Sequence, residues 1–197
     1  MEFFKDKKTC IPKSRSAWRK WLEKNHQSEA SVFLVLYHQK SKHYNLSYAE
    51  AVEEALCFGW IDSVAYKRDA ESNYQFYSPR KPKSNWSKSN RERIEKLTAR
   101  GLMHPAGQAL VDLAKASGTW LALEEVENLI IPDDLRKALN KNKKAARYFE
   151  AFPRSSKRII LEWILNAKKP ETRAQRIQKT VELAKENIRA NHPKPKA

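Results

Sequence analysis

A short run of apolar and β-branched residues at positions 30–37 most constrains the fold of this 197-residue chain. Its sequence, ASVFLVLY, has the length and the residue types of a buried strand. Trp18 and Leu22 fall at helical spacing before the run, and Ala51 and Ala55 do so after it. A buried strand between two amphipathic helices predicts a mixed unit of sheet and helices.

Local start and stop signals predict the helices beside this strand. Ser14 is in position to cap the first helix, over residues 17–25. Ser47 with Glu50 three residues later is a capping box for the second. Gly59 ends that helix, because glycine readily adopts the left-handed conformation of the C′ position.

The segments that follow complete the first half of the chain. Residues 60–67 and 73–78 are predicted as two strands joined by a polar turn. Helices are predicted over residues 85–99 and 105–118. The fold class is therefore α+β, with an N-terminal α-β-α-β-β-α unit around a small sheet, followed by a C-terminal helical module.

After Gly118 the pattern becomes acidic and apolar, and then helical. Three helices are predicted, over residues 133–152, 155–168 and 171–188. The predicted domains are an α+β domain (1–118), a connector (119–132), a helical module (133–190) and a disordered tail (191–197).

Positive charge is concentrated in two parts of the chain, whose formal net charge is +16. Residues 80–100 carry eight Lys or Arg against two Glu, and residues 136–197 carry eighteen against five acids. This distribution favours an anionic partner: nucleic acid, a phosphorylated small molecule or an acidic protein surface. The alternative is that these are solvated faces of Lys-rich helices. The oligomeric state is not predicted.

The basic loop-helix segment, residues 79–91, is the main candidate site. Two prolines forbid regular helix before Asn85, so the loop is expected to present its donors and feed a helix N-terminus, which attracts anions. Alternatively, its bases pair with Glu50, Glu53 and Glu54 or face water. The predicted anion-binding residues are Arg80, Lys81, Lys83, Ser84, Trp86, Ser87, Lys88 and Arg91.

Two further residues, Trp86 and Asp62, allow two interpretations each. Trp86 either stacks on a base or sugar, or anchors the first turn of its helix in the core. Asp62, with Trp60 on the preceding strand, either forms a structural ion pair with Arg80 or acts as a base in a pocket. Packing and the ion pair are the favoured interpretations.

A secondary basic face is predicted on the last helix. Arg173, Arg176 and Lys179 are spaced by three residues and share one side of it. The face either binds an acidic partner or is simply solvated.

Signatures of known enzyme and metal sites are sparse. The four glycines assemble neither a P-loop nor a dinucleotide motif, and His38 and His43 have a poor spacing for a metal. Cys10 and Cys57 are expected to be free thiols, with Cys57 buried. We predict no cofactor, no metal and no membrane span, and the lack of an apolar N-terminal segment predicts a cytoplasmic protein.

Three motifs give the chain a family resemblance: ALCFGWID at residues 55–62, PRKPKSNWS at residues 79–87, and KPETR with RIQKT at residues 169–173 and 176–180. In their order they resemble the bacterial YdeI/OmpD-associated, or bacteriocin-protection, family. The resemblance implies a role in protection against bacteriocins or antimicrobial peptides, or in a stress response. It implies no catalytic residues.

These observations predict a non-enzymatic protein that binds an anionic partner through the basic loop-helix segment. The alternative is an enzyme acting on a small anionic substrate around Asp62, Arg80 and Lys83.

Overall fold

The computed structural model describes residues 8–192, which divide into two compact units between Leu121 and Ala122. The α+β fold class predicted from the sequence is confirmed. The first unit contains β1 (Thr9–Cys10), α1 (Arg15–Asn25), β2 (Val32–Tyr37), α2 (Tyr48–Cys57), β3 (Trp60–Lys67), β4 (Ser72–Pro79), α3 (Lys88–Ala99) and α4 (Pro105–Ala116).

The sheet of the first unit has the strand order β1-β2-β4-β3. β1 runs parallel to β2, whereas the β2–β4 and β3–β4 pairs are antiparallel. Asp62 lies opposite Tyr77 in the β3–β4 hairpin, and the register shifts between Asp62 and Ala65. The sequence did not predict β1, because two residues are too few for a periodic pattern.

Tryptophans anchor the core of the first unit. Trp18 and Trp60 are buried, and their indole nitrogens donate to backbone oxygens, Trp18 to Ala51 at 3.1 Å and Trp60 to His26 at 3.1 Å. Each ring therefore fills the core while its polar atom remains hydrogen-bonded. Trp60 thus has a packing role.

The predicted caps of α1 and α2 are confirmed. Ser14 accepts from Ala17 N, and Ser47 with Glu50 forms the complete capping box. Gly59 has φ +74°, in the left-handed region that glycine tolerates best.

The start of α3 differs from the prediction. The helix begins at Lys88 instead of residue 85, and Ser87 is its N-cap, with extended backbone angles and a side chain that accepts from Asn90 N. The apolar spacing of Trp86 and Ile94 suggested an earlier start, but Trp86 precedes the helix and packs from the loop.

The second unit contains α5 (Glu124–Glu127), α6 (Asp133–Asn140), α7 (Lys143–Ala151), α8 (Arg154–Leu165) and α9 (Pro170–Lys185). The single helix predicted over residues 133–152 is therefore two, because Asn142 caps a new helix by accepting from Ala145 N at 3.0 Å. Residues 122–132, predicted as a connector, belong to this compact unit. Its core includes Leu135, Phe149, Ile160, Ile164 and Ala184.

The predicted disordered tail, residues 191–197, lies outside the described residues except for Asn191 and His192. Within residues 8–192, no helix is both long and apolar enough to cross a membrane.

Candidate functional site

Arg80 lies at the centre of the basic loop-helix segment, directly after β4, and is only 7% exposed. Its backbone N–H donates to Gly59 O at 2.9 Å. Its guanidinium lies 3.9 Å from the centroid of the Trp86 ring and donates to Asn85 O. A stacked and hydrogen-bonded guanidinium of this kind fixes the course of the loop.

Burial also changes the electrostatics of Arg80. Desolvation lowers its pKa to about 10, and the nearby charge of Asp62 acts in the opposite direction. Its Nε is buried and has no hydrogen-bond partner. An arginine in this setting stabilises the loop by contact with its neighbours, and little of its side chain reaches the surface.

Trp86 is also in the core, at 1% exposure. One neighbour of its ring is the Arg80 guanidinium, and another is Trp120, at 5.1 Å between centroids. With so little exposed surface the ring cannot stack on a base or sugar. Of the two interpretations of Trp86, the structure therefore supports packing.

The remaining residues of the predicted site separate by exposure. Arg91 is buried on the inner side of α3 and Ser84 and Ser87 are half-buried, whereas Lys81, Lys83 and Lys88 are exposed. Ser84 closes a tight turn, its hydroxyl donating to Lys81 O at 2.7 Å. The basic loop-helix segment thus has its lysines at the surface and its two arginines, Arg80 and Arg91, buried.

The carboxylates of α2 are occupied by partners other than this loop. Glu54 is buried and pairs with Arg15 at 2.6 Å and with Arg19 at 2.8 Å. Glu53 pairs with Arg15 at 2.9 Å, and Glu50 belongs to the capping box. The suggestion that the loop bases pair with these three glutamates is therefore wrong, since α1 supplies the cationic partners of Glu53 and Glu54 and Ser47 holds Glu50.

Asp62 forms a hydrogen bond that the sequence did not predict. Its carboxylate accepts from the Tyr48 hydroxyl at 2.7 Å, at the start of α2. Its charge influences Arg80, but among the described residues its carboxylate hydrogen-bonds to Tyr48 and forms no ion pair with Arg80. The predicted direct ion pair is thus replaced by a tyrosine–carboxylate pair.

Tyr77 on β4 lies opposite Asp62, and the sequence did not indicate it as a site residue either. It is fully buried, and its hydroxyl has no hydrogen-bond partner. Burial raises its pKa far above the ordinary value, and the charge of Asp62 adds to that effect. Burial and the hydrogen bond to Asp62 together raise the pKa of Tyr48 to about 12.

Arg93 on α3 completes this group, because its positive charge partly offsets the rise that burial and Asp62 cause in the pKa of both tyrosines. The group of Tyr48, Asp62, Tyr77, Arg80 and Arg93 will be called the tyrosine–aspartate cluster. Pairing the two predicted strands of the hairpin would have placed Tyr77 beside Asp62. No local signal identifies Tyr48 or Arg93.

The secondary basic face of α9 is largely engaged within its own unit. Arg173 holds both carboxylate oxygens of Asp134 on α6, at 2.6 Å and 3.0 Å. Arg176 donates to Trp163 O, and its guanidinium lies 5.2 Å from the centroid of that ring. Lys179 alone of the three is exposed.

Within residues 8–192 the two cysteines form no disulfide, and the side chains that could bind a metal ion are not clustered. Cys10 and Cys57 are free thiols, and burial raises the pKa of each. No group of three or more His, Cys, Asp or Glu side chains in this range is arranged to hold a metal ion.

Comparison with protein families gives two matches that cover different parts of the chain. Residues 10–110, slightly more than half of the chain, match a domain of unknown function, DUF8412. Residues 128–187 match the family described as bacteriocin-protection, YdeI or OmpD-associated. Neither the curated proteins nor the solved structures contain a match.

The first two motifs, at residues 55–62 and 79–87, fall inside the first match, and the third falls inside the second. The resemblance recognised in the sequence is thus confirmed over residues 128–187. The chain belongs to the DUF8412 family and carries a YdeI/OmpD-associated domain in its C-terminal part.

Proposed function

We propose that this protein is a non-enzymatic binder of an anionic partner, which it contacts through Lys81, Lys83 and Lys88. The observation that carries the proposal is the inward stacking of Arg80 on Trp86, which fixes the loop and leaves the three lysines exposed. In this proposal Arg80 is a positioning residue. A rigid loop binds with a smaller loss of conformational entropy than a mobile one.

The charge around these lysines supports a polyanion over a small anion. Residues 80–100 carry eight bases against two acids, and exposed bases continue at Lys96 on α3 and at Arg100 directly after it. Exposed, separated lysines suit the repeated charges of a nucleic-acid backbone. Enclosed arginine forks would suit a single carboxylate or phosphate better.

The family description suggests the biological setting, protection against bacteriocins or a related stress response. Bacteriocins and antimicrobial peptides are commonly cationic, and this chain has a formal net charge of +16. Like charges repel, so direct capture of such peptides is unfavourable. We infer that protection is indirect, through nucleic acid, a phosphorylated ligand or another protein.

The geometry favours this role over the enzymatic alternative at Asp62, Arg80 and Lys83. That alternative needs Arg80 to contact a substrate, but the guanidinium is buried against Trp86 and Asn85. Lys83 is exposed on the turn, and no contact between the described residues joins it to Asp62.

The test is a fluorescence-anisotropy titration of labelled single- and double-stranded nucleic acid at low and moderate salt. The triple variant Lys81→Ala, Lys83→Ala, Lys88→Ala should weaken binding and make it less salt-dependent, by a slope of about 1 per lost phosphate contact. The triple variant Lys13→Ala, Lys20→Ala, Lys24→Ala removes the same charge from exposed positions elsewhere in the first unit, and serves as the control.

Three results would count against the proposal. Equal weakening by both variants would show that net charge alone matters. Binding unaffected by the first variant would move the site to α9 and Lys179. Absence of binding at low salt would exclude nucleic acid as the partner.

A further inference from the structure

A cleft of about 450 Å³ opens beside the tyrosine–aspartate cluster, within the first unit. Its floor is the sheet, with Leu36 from β2, Ala65 from β3, and Asn73 and Gln75 from β4. Its walls come from Tyr37 at the end of β2, from His38, Tyr44 and Ser47 in the connection to α2, and from Tyr48, the first residue of α2. This volume is in the range of small-molecule sites, about 300–1,000 Å³.

The chemistry of the lining is uncharged and aromatic. Its described residues include no Asp, Glu, Lys or Arg. Tyr44 and Tyr48 are 44% and 50% exposed, so each has ring surface available for stacking. A flat, uncharged ring is the ligand that stacks on tyrosine without the cost of desolvating a charge.

Gln75 supplies a fixed hydrogen-bonding group on the floor. It is 6% exposed, and its Nε2 lies 3.4 Å and 3.3 Å from the carbonyl oxygens of Ser63 and Val64. Because both neighbours are acceptors, the amide nitrogen must face them. Its carbonyl oxygen is thereby directed away from β3, as an acceptor for a ligand N–H group.

Asn73 supplies a second amide in the same row of the sheet, since alternate residues of a strand share a face. Its Nδ2 lies 3.2 Å from Nε2 of His38. An amide nitrogen only donates, so Nε2 accepts, which fixes both side chains. Side-chain amides beside aromatic rings are the groups that read the edges of nucleobases.

We propose that this cleft binds a nucleobase, stacked on Tyr44 and hydrogen-bonded to Gln75. Tyr48, which lines the cleft, is the first residue of α2, and α2 packs against the basic helix α3. A sugar phosphate that leaves the cleft past Tyr48 would meet the positive charge of that helix. The base comes either from a free nucleotide or from a nucleotide within a single strand.

The experiment measures the affinity of the full-length protein for adenosine, cytidine and uridine, for their 5′-monophosphates and for a short single-stranded oligonucleotide. We expect the nucleosides to bind with little dependence on salt, because they carry no charge. Tyr44→Ala should weaken binding by about tenfold, since stacking accounts for much of the affinity. Tyr44→Phe keeps the ring and should retain most of it.

Tyr66→Ala is the matched control. Tyr66 is also 44% exposed and lies in the same unit, on β3, but it does not line the cleft. Its replacement should leave nucleoside affinity unchanged, whereas equal losses in both variants would contradict the proposal.

The other outcomes are equally decisive. Stronger binding of the oligonucleotide than of the monophosphates, with both weakened by Tyr44→Ala, identifies a strand as the source of the base; equal binding identifies the free nucleotide. Failure of every nucleoside, nucleotide and oligonucleotide to bind, or equally strong binding of glucose, overturns the proposal. Because the nucleoside arm involves no phosphate, it is independent of the lysine variants that test the anionic partner.

Discussion

The buried side chain of Arg80 fixes the loop on which neighbouring lysines are exposed to solvent. Arg80 carries its charge inward, where the face of Trp86 and the carbonyl of Asn85 replace water. A sequence rule that counts bases treats Arg80 and Lys81 alike. The structure separates them, since one stabilises the loop and the other is exposed.

The unpaired hydroxyl of Tyr77 gives a prediction at the same scale. An unsatisfied buried hydroxyl costs about 1–3 kcal/mol, so Tyr77→Phe should leave the free energy of unfolding unchanged or raise it by about 1–2 kcal/mol. Tyr48→Phe removes an existing hydrogen bond to Asp62 and should lower the free energy of unfolding slightly. Urea unfolding of both variants checks this, and clear destabilisation by Tyr77→Phe would show that its hydroxyl is hydrogen-bonded in solution.

Among the elements, the approach of α4 to the end of α2 is the tightest constraint. A Cβ built on Gly107 would lie 2.2 Å from Cys57 O, a distance that no packing tolerates. His104, the N-cap of α4, donates its backbone N–H to the same carbonyl at 3.1 Å. The helices thus touch through backbone, which only glycine permits.

We therefore expect Gly107→Ala to destabilise the protein by about 1–3 kcal/mol or more. In a helix without such a contact the same change would stabilise by about 1 kcal/mol, so the sign of the effect is the test. Gly101→Ala is the comparison: no atom lies within 4 Å of its added Cβ, and only the backbone strain at φ +64° should appear. Thermal unfolding of both variants measures the difference.

The sequence predicted well the features that neighbouring residues determine, but not those that depend on contacts between distant parts of the chain. The caps at Ser14 and Ser47 and the hairpin of β3 and β4 follow from neighbouring residues, so the sequence reveals them. β1 exists only because it pairs with a strand more than twenty residues away. The break at Asn142 was hidden because the apolar spacing continues across it.

The candidate site divides in the same way. The lysines of the loop were predicted as a group, but the burial of Arg80 and Trp86 depends on packing that no local pattern encodes. The cleft was not predicted, since three strands form its floor, and its walls come largely from the β2–α2 connection and the start of α2. Its amides, Asn73 and Gln75, are ordinary polar residues of a strand when the sequence is considered alone.

At the scale of the whole molecule, each unit has its own hydrophobic core, and in each unit an ion pair joins two of the helices. In the first unit the buried Glu54 joins α2 to Arg15 and Arg19 of α1. In the second unit the pair of Asp134 and Arg173 joins α6 to α9. The two ion pairs differ in exposure: the Glu54 carboxylate is buried, whereas Asp134 is exposed.

The second pair gives a prediction about pH. The hydrogen bonds from Arg173 hold the pKa of Asp134 below its ordinary value of 3.8. A carboxylate with a depressed pKa stabilises the fold above its unfolded pKa, and that contribution is lost as the pH falls through the folded value. Arg173→Gln should thus destabilise the second unit at pH 7 by no more than about 1 kcal/mol, because the pair is partly exposed.

That deficit should shrink below pH 3.8 and disappear once Asp134 is protonated in the folded state. The measurement is amide hydrogen exchange in α6 and α9, comparing variant with wild type at each pH. Lys179→Gln is the control, because it removes the same charge from an exposed position on the same helix. A deficit that persists unchanged at low pH would mean that Arg173 acts through its contact with Ile164 O instead.

The hydrogen bond from Arg80 N to Gly59 O has a consequence for exchanging segments between relatives. This hydrogen bond joins the motif at residues 55–62 to the motif at residues 79–87. The two motifs therefore form one structural unit, although the rest of the β3–β4 hairpin lies between them in the sequence. A chimera that takes only one of these motifs from a relative would combine the loop that carries Arg80 with a Gly59 segment from a different protein. Crossover points for recombination should therefore lie outside residues 55–87, so that both motifs are transferred together.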